Sequence, residues 1–301
     1  MPVLNTGLAK VSAAAAVWYG GRGVFCAGHR DGSTDVIDYV TIGSTGNATD
    51  FGDPLAATQN SGGVSNGTRG VFAGGGSSTD VIQYITISTT ANTQDFGDLT
   101  VGRYGFGGCS NGSRGIYMGG HTGVTGGTMD YITIETTGDA LDFGYLIAIT
   151  HNSRTCNNET RGVAGGMDDA NTTEYITMAT TSNATNFGDF HAAGSAGKVQ
   201  NPGGCDDTSD RGLFTGGGRP GGSNAMDYIT ISSTGNTTDF GDLTVARYGI
   251  AAVSNGSRGV FAGGQGNKDV IDYVAIGTTG NASDFGNLTS GRHGAGEVAG
   301  D

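Results

Sequence analysis

The dipeptide Arg-Gly opens the same short phrase six times, at Arg22, Arg69, Arg114, Arg161, Arg211 and Arg258, in steps of 47, 45, 47, 50 and 47 residues. A period of this size in a chain of 301 residues means one supersecondary unit stacked on copies of itself, not several unrelated domains. Two more phrases recur in each unit. Asp-Tyr-Ile-Thr-Ile, or a near variant, carries Tyr39, Tyr84, Tyr131, Tyr175, Tyr228 and Tyr273. Asp-Phe-Gly-Asp, or a variant, carries Phe51, Phe96, Phe143, Phe187, Phe240 and Phe285. Tyr to Phe is 12 residues in all six copies, and Phe to the next Arg is 18 except from Phe187 to Arg211, where it is 24. Arg to Tyr drifts between 14 and 17, so two segments are held at fixed length and one is free.

Each unit reads as four short strands, a to d. Strand a precedes Ser-Asn-Gly, as in Tyr248–Val253, and strand b is Arg-Gly-Val-Phe-Ala-Gly-Gly. Strand c is Val-Ile-Asp-Tyr-Ile-Thr-Ile, rich in β-branched and aromatic residues, and strand d contains Asp-Phe-Gly-Asp-Leu-Thr. Asn-Gly at Asn66, Asn111 and Asn255 signals a tight turn from a to b, and Thr-Gly-Asn turns c into d. No segment shows a 3.6-residue apolar period, so helix content near zero is expected. Six such units predict an all-β fold, a six-bladed β-propeller of four-stranded antiparallel blades, as a single domain over 1–301. The units run over about 10–54, 55–101, 102–148, 149–193, 194–245 and 246–290, with 291–301 an extra strand or arm. A tandem solenoid is the alternative, disfavoured because its rungs are usually shorter than ~47 residues.

Ring closure has two contenders. Ala15–Phe25 aligns with Ala251–Phe261, and Arg292–Val298 aligns with Arg247–Val253, giving seven strand-a candidates for six blades. The N-terminal copy aligns more closely, so it is expected to complete unit 1 and to leave the last ~10 residues as a spare arm.

Glycine supplies 59 residues and proline only 4, without a Gly-X-Y period, which excludes collagen. No apolar stretch approaches the roughly 18 residues of a membrane span. Lys+Arg 15 against Asp+Glu 28 gives a net charge of −13, so neither nucleic acid nor an anionic membrane is an expected partner. Met-Pro-Val-Leu-Asn-Thr-Gly at the N-terminus has no cationic segment leading into an apolar one, and no cleaved signal peptide is expected. Four cysteines without a CxxC do not make a disulfide scaffold. Cys109, Cys156 and Cys205 fall on strand a and read as buried thiols around the channel rather than as metal ligands. No Gly-Lys-Ser/Thr phosphate loop, His-Glu-x-x-His helix or Ser-His-Asp order is present, so no cofactor, metal or catalytic residue is assigned and the chain reads as a non-enzyme.

The six Arg-Gly arginines are equivalent by position, as are Asp50, Asp95, Asp142, Asp239 and Asp284, with Asn186 in the remaining unit. Some of these arginines and aspartates are expected to pair within or between blades and stiffen the ring. Histidines His29, His121, His151, His191 and His293 all fall in b–c or d–a connections, which share one face when strand direction alternates. His151 and His293 occupy the place of Tyr104 and Tyr248, eight residues after Phe, so these four side chains are expected around one channel mouth. Together with Arg30, Asp31 and Arg219 they form the candidate binding face, to which Asp168, Asp169 and Lys268 add charge. Length variation, including the insertion within Ala192–Asp207, falls on the same face, where a rigid scaffold lets loops diverge for binding.

The order of Arg, strand, Gly-Gly, Tyr and late aromatic resembles the kelch repeat. Gly74-Gly75, Gly119-Gly120, Gly165-Gly166, Gly216-Gly217 and Gly263-Gly264 match its doublet; Cys26-Ala27-Gly28 departs from it, and phenylalanine stands where kelch units carry a late tryptophan. The full phrase from Asp-Tyr-Ile-Thr-Ile to Asp-Phe-Gly-Asp-Leu-Thr resembles repeats in virion structural and tail proteins of marine bacteriophages, cyanophages among them. That resemblance implies a component of the phage particle, at the tail or capsid surface, whose partners are other virion proteins. A lectin-like module contacting host surface glycans is the alternative.

Overall fold

The computed structural model describes residues 19–122, 127–148, 151–166, 171–191, 201–218 and 221–301. Among the described residues the regular structure is 24 strands, with no helix. Blade 1 holds β1 (Arg22–Cys26), β2 (Ile37–Thr41) and β3 (Thr49–Gly52). Blade 2 is β4 (Gly62–Ser65), β5 (Arg69–Ala73), β6 (Val81–Thr86) and β7 (Gln94–Asp98). Blade 3 is β8 (Gly107–Ser110), β9 (Arg114–Met118), β10 (Thr128–Thr133) and β11 (Leu141–Tyr145). Blade 4 is β12 (Arg154–Asn157), β13 (Arg161–Gly165), β14 (Thr172–Thr177) and β15 (Thr185–Asp189). Blade 5 is β16 (Gly203–Asp206), β17 (Arg211–Thr215), β18 (Ser223–Thr230) and β19 (Thr238–Arg247). Blade 6 is β20 (Ala251–Ser254), β21 (Arg258–Ala262), β22 (Val270–Ala275) and β23 (Ser283–Asn287), and β24 (Gly296–Gly300) follows it. The sheets are six, each four-stranded and antiparallel, and the fold is the six-bladed β-propeller that the repeat predicts.

Closure corrects the expectation about the termini. β24 is the inner strand of blade 1, paired with β1 in the register Cys26↔Gly296 to Arg22↔Gly300. The C-terminal copy of strand a seals the ring, so the segment 291–301 supplies an integral strand, β24, rather than a spare arm.

The apolar core lies between blades, because both faces of each sheet are covered. Val24, Ile37 and Phe51 of blade 1 pack with Phe72, Ile85 and Ile87 of blade 2 in one cluster, and five equivalent clusters fill the other interfaces. Three polar devices run around the ring in register with this core. Each Arg-Gly guanidinium lies 4.1–4.6 Å from the ring centroid of its own blade's tyrosine. It donates from Nη1 to the carbonyl just past strand c of the next blade: Arg22 to Ile87, Arg69 to Ile134, Arg114 to Met178, Arg161 to Ile231, Arg211 to Ile276 and Arg258 to Ile42. The tyrosine in turn stands edge-on to the Asp-Phe-Gly phenylalanine at 6.0–6.3 Å.

The glycine after each arginine is the second device. A Cβ there would fall 2.3–2.9 Å from the inner-strand Val or Cys of the preceding blade, from Val253 at Gly23 through Cys156 at Gly212. Third, each c–d turn ties off the exposed edge of the preceding blade. Asn92 Oδ1 accepts the Asp53 N–H at 3.0 Å, Asn183 accepts that of Tyr145 and Asn281 that of Asp242, with the other turns doing likewise. Outer strands with unpaired backbone invite pairing with other chains, and these turns occupy part of that backbone.

The expected Arg–Asp pairs are not formed among the described residues. The arginines do bridge blades, but onto carbonyls. Asp50, Asp95, Asp142, Asp239 and Asp284 are exposed on the outer strands, and no ion pair among the described residues joins them to the six arginines. Both residues before each phenylalanine are exposed while the phenylalanine is buried, because the register between strands c and d shifts at the phenylalanine and breaks the period-2 alternation.

Candidate binding face and central channel

The b–c and d–a connections meet at one mouth of the ring. Five backbone hydrogen bonds run around its floor as an open circle from Asn201 to Asn152: Asn60 N–H to Gly294 C=O at 2.6 Å, Gly105 to Asn60 at 2.7 Å, Asn152 to Gly105 at 2.6 Å, Gly249 to Asn201 and Gly294 to Gly249 at 2.8 Å. All six residues have φ between 53° and 71°, a left-handed region that only glycine and asparagine enter cheaply, which explains why Gly and Asn alone appear at this place in every unit.

The expected mouth residues sit just above this circle, in two groups rather than one ring. Tyr104 and His121 approach at 5.2 Å between ring centroids, and His121 meets His151 edge-on at 4.3 Å. His29 and His293 lie 4.9 Å apart, and the Cβ position of Gly249, beside Tyr248, is 3.1 Å from the His293 Cβ. Each pairing joins a b–c loop to a d–a loop, as the bridges His29↔His293 and Tyr104↔His121 show. Arg30 and Asp31 are exposed beside the second group, Arg30 donating to Ser290 Oγ and Asp31 accepting from Asn267. His191 stands apart: it is exposed after β15, and its N–H donates to Thr237 Oγ1 at 2.7 Å. Arg219, Asp168 and Asp169 lie outside the described residues, as does most of the insertion.

Below the floor are buried groups that the sequence reading left without a role. Arg103, Arg247 and Arg292, each seven residues after a Phe, pair with Asp130, Asp272 and Asp38 on strand c at 2.6, 3.0 and 2.8 Å, and all six side chains are buried. Thr100, Thr244 and Thr289 complete the carboxylates with O–H and N–H donors. Desolvation lowers the Arg247 guanidinium, and Asp272 opposes that shift. In unit 2 the arginine position is Thr58, and there the strand-c residue is Gln83, a neutral side chain that caps Leu55 N–H and accepts from Thr93. A buried carboxylate without its cation costs several kcal/mol, on the order of 3–5, and the neutral Gln83 avoids that cost. In unit 4, where the arginine position is Thr150, the strand-c acid Glu174 remains and accepts the Ile147 and Ala148 N–H groups instead.

All six inner strands line an axial cavity of about 110 Å³. Its wall is tied circumferentially: Ser110 Oγ donates to Ser65 C=O, Asn157 to Ser110 C=O, and Ser254 Oγ to Asp206 C=O. Tyr19 closes the a–b end, its hydroxyl donating to Asp206 Oδ1 at 3.0 Å and Asp207 C=O at 2.7 Å. Burial pushes the Asp206 carboxyl up to about 7, outweighing the hydrogen bonds from Asn157 and Tyr19. On the axis Glu297 of blade 1 reaches Arg154 of the opposite blade 4 at 3.6 Å. Burial raises Glu297 to about 7 against the pull of Arg154. Neighbouring inner strands are too close for larger side chains here, since a Cβ on Gly63 or Gly108 would strike the adjacent blade's carbonyl at 2.0 or 2.2 Å. The four cysteines are buried free thiols, Cys26 pushed up to about 12 by burial. Among the described residues no group of three or more His, Cys, Asp or Glu is arranged to hold a metal ion. No protein-family model matches the chain, and no curated protein is similar to it.

Proposed function

We propose that this protein is a non-enzymatic structural or attachment component of a bacteriophage particle, at the tail or capsid surface, working through protein–protein contacts. The observation that carries the binding half of this reading is the gathering of tyrosine and histidine from variable loops on one face of a frame stapled identically around the ring. The particle half rests on the resemblance of the repeat phrase to those of phage virion and tail proteins, beside a looser one to kelch units. Mass spectrometry of purified particles tests it: the protein co-purifies with virions through a density gradient, and its absence from them would discard the reading.

A second reading, a lectin-like receptor-binding module, is favoured by the half-exposed Tyr104–His121–His151 group, whose ring faces and polar edges suit a sugar. A glycan array with wild type and Tyr104→Ala separates the two: a signal lost in the variant supports the lectin, and no signal in either supports the scaffold.

A further inference from the structure

The six blades are near copies, so a blade that departs from the others at the surface marks where the ring is not merely a ring. Blade 3 departs on its outer strand. Leu141 and Tyr145 are 58% and 55% exposed, and Ile147 just beyond β11 is 64% exposed. At the place of Leu141 the other units carry Thr, Gln or Ser, and at the place of Tyr145 they carry Asp or Asn. Apolar residues therefore replace polar ones at two positions where the same fold is built five more times without them; at the place of Ile147, blade 1 too carries an exposed apolar residue, Leu55. Leu141 pairs with Tyr131 and Tyr145 with Thr128 across a register shift, so the two leave the edge strand on opposite faces and the apolar surface wraps that edge. Exposed apolar groups on an otherwise polar edge mark a contact surface.

Its surroundings say what fits. Asp139 and Asp142 flank Leu141, and Asp139 Oδ1 accepts the Asp98 N–H of blade 2 at 3.1 Å. Partial desolvation, then Asp80, Asp139 and Asp95, raise the Asp98 carboxyl above its ordinary value, so these acids form one negative rim. A second copy of this chain, itself at −13, would set acid against acid there. The edge backbone is engaged beside the patch: Tyr145 N–H donates to Asn183 Oδ1 at 3.1 Å, and its C=O accepts from Ala184 N–H at 2.9 Å. An incoming segment must grip side chains rather than extend the ladder at that point.

We propose that the outer edge of blade 3, through Leu141, Tyr145 and Ile147, docks a partner polypeptide segment whose apolar side chains are flanked by lysine or arginine. This deepens the assembly half of the function proposed above and rests on it. Its test uses purified protein and defined peptides, so its failure is distinct from absence of the protein from particles.

The probes are fluorescently labelled twelve-residue peptides with alternating Leu/Lys, Ser/Lys and Leu/Glu, titrated by anisotropy with the full chain. The Leu/Lys peptide binds wild type about tenfold more tightly than either of the others. The variant L141T/Y145D/I147T loses that advantage; its residues are those of other blades at the same positions, and an unchanged melting curve verifies its fold. The reverse variant T49L/D53Y transplants the first two residues onto blade 1, beside the exposed Leu55, and gains affinity for Leu/Lys. Equal binding by the triple variant, or equal binding of Ser/Lys, would show general acidity alone and overturn the proposal. Tighter binding of Leu/Glu would overturn the charge assignment. A concentration-dependent dimer in light scattering that the triple variant abolishes would assign the patch to a second copy instead.

Discussion

At the residue scale, the groups that hold the ring are arginines, and they work in two ways. The Arg-Gly arginines are half-exposed and spend their donors on carbonyls across each interface, with a tyrosine face beneath. The second set is buried and matched one to one with strand-c aspartates. Removing one partner of such a pair strands a charge, whereas removing both does not. Arg292→Ala is accordingly expected to cost about 3–5 kcal/mol in urea unfolding. The double variant Arg292→Ala/Asp38→Asn should cost less than the single one; if the two losses simply add, the stranded-charge account fails. Sequence exposed the Arg-Gly set through its repetition. The second set occupies its place in only three of the six units, with Thr58, Thr150 and Gly194 in the others, so its repetition is incomplete and does not stand out.

At the element scale, the inner strand and the strand beside it are locked by size. Each Arg-Gly glycine is required by a side chain one blade away, so the constraint has no local cause and no local substitute. Gly212→Ala would set a Cβ 2.3 Å from Cys156 Sγ, and such overpacking costs about 1–3 kcal/mol. Cys156→Ala in the same chain should recover most of that loss in thermal melts, while failure to recover it would place the strain elsewhere. The strand assignments were legible because the β-branched runs and Asn-Gly turns are short-range signals. The outward turn of Asp50, Asp95 and their equivalents was not drawn from the sequence, because it depends on a register shift between strands c and d at each phenylalanine.

For the whole molecule, closure by β24 makes the last strand as structural as any other. Truncation after Ala295 removes it, exposing the edge of β1 and the Gly70 interface that Val298 fills. The truncated chain should melt lower and less cooperatively by circular dichroism; an unchanged transition would argue that the ring does not depend on this strand. The channel adds a pH dependence. Asp206 and Glu297 titrate near 7 in the fold, against about 4 for an unfolded carboxyl. The folded state thus holds protons that the unfolded state has released, and the stability this gives in acid is lost as pH rises through about 7. The melting temperature should be higher at pH 5 than at pH 8. Glu297→Gln should flatten the difference, and an equal slope in that variant would sink the assignment to Glu297.

Repetition and spacing by themselves settled the number of blades, the four strands in each and the face from which the adaptable loops rise, because a unit copied along the chain must solve the same local problem each time. Which end of the chain completes blade 1 was decided only in three dimensions. Both ends carry a plausible inner strand, and the choice turns on contacts between residues nearly the whole chain apart, such as Gly23 with Ala299 and Val298 with Gly70. The division of the mouth into two aromatic groups, the axial Arg154–Glu297 pair and the apolar edge of blade 3 are likewise departures from the repeat, and their neighbours are set by the closed ring rather than by the period.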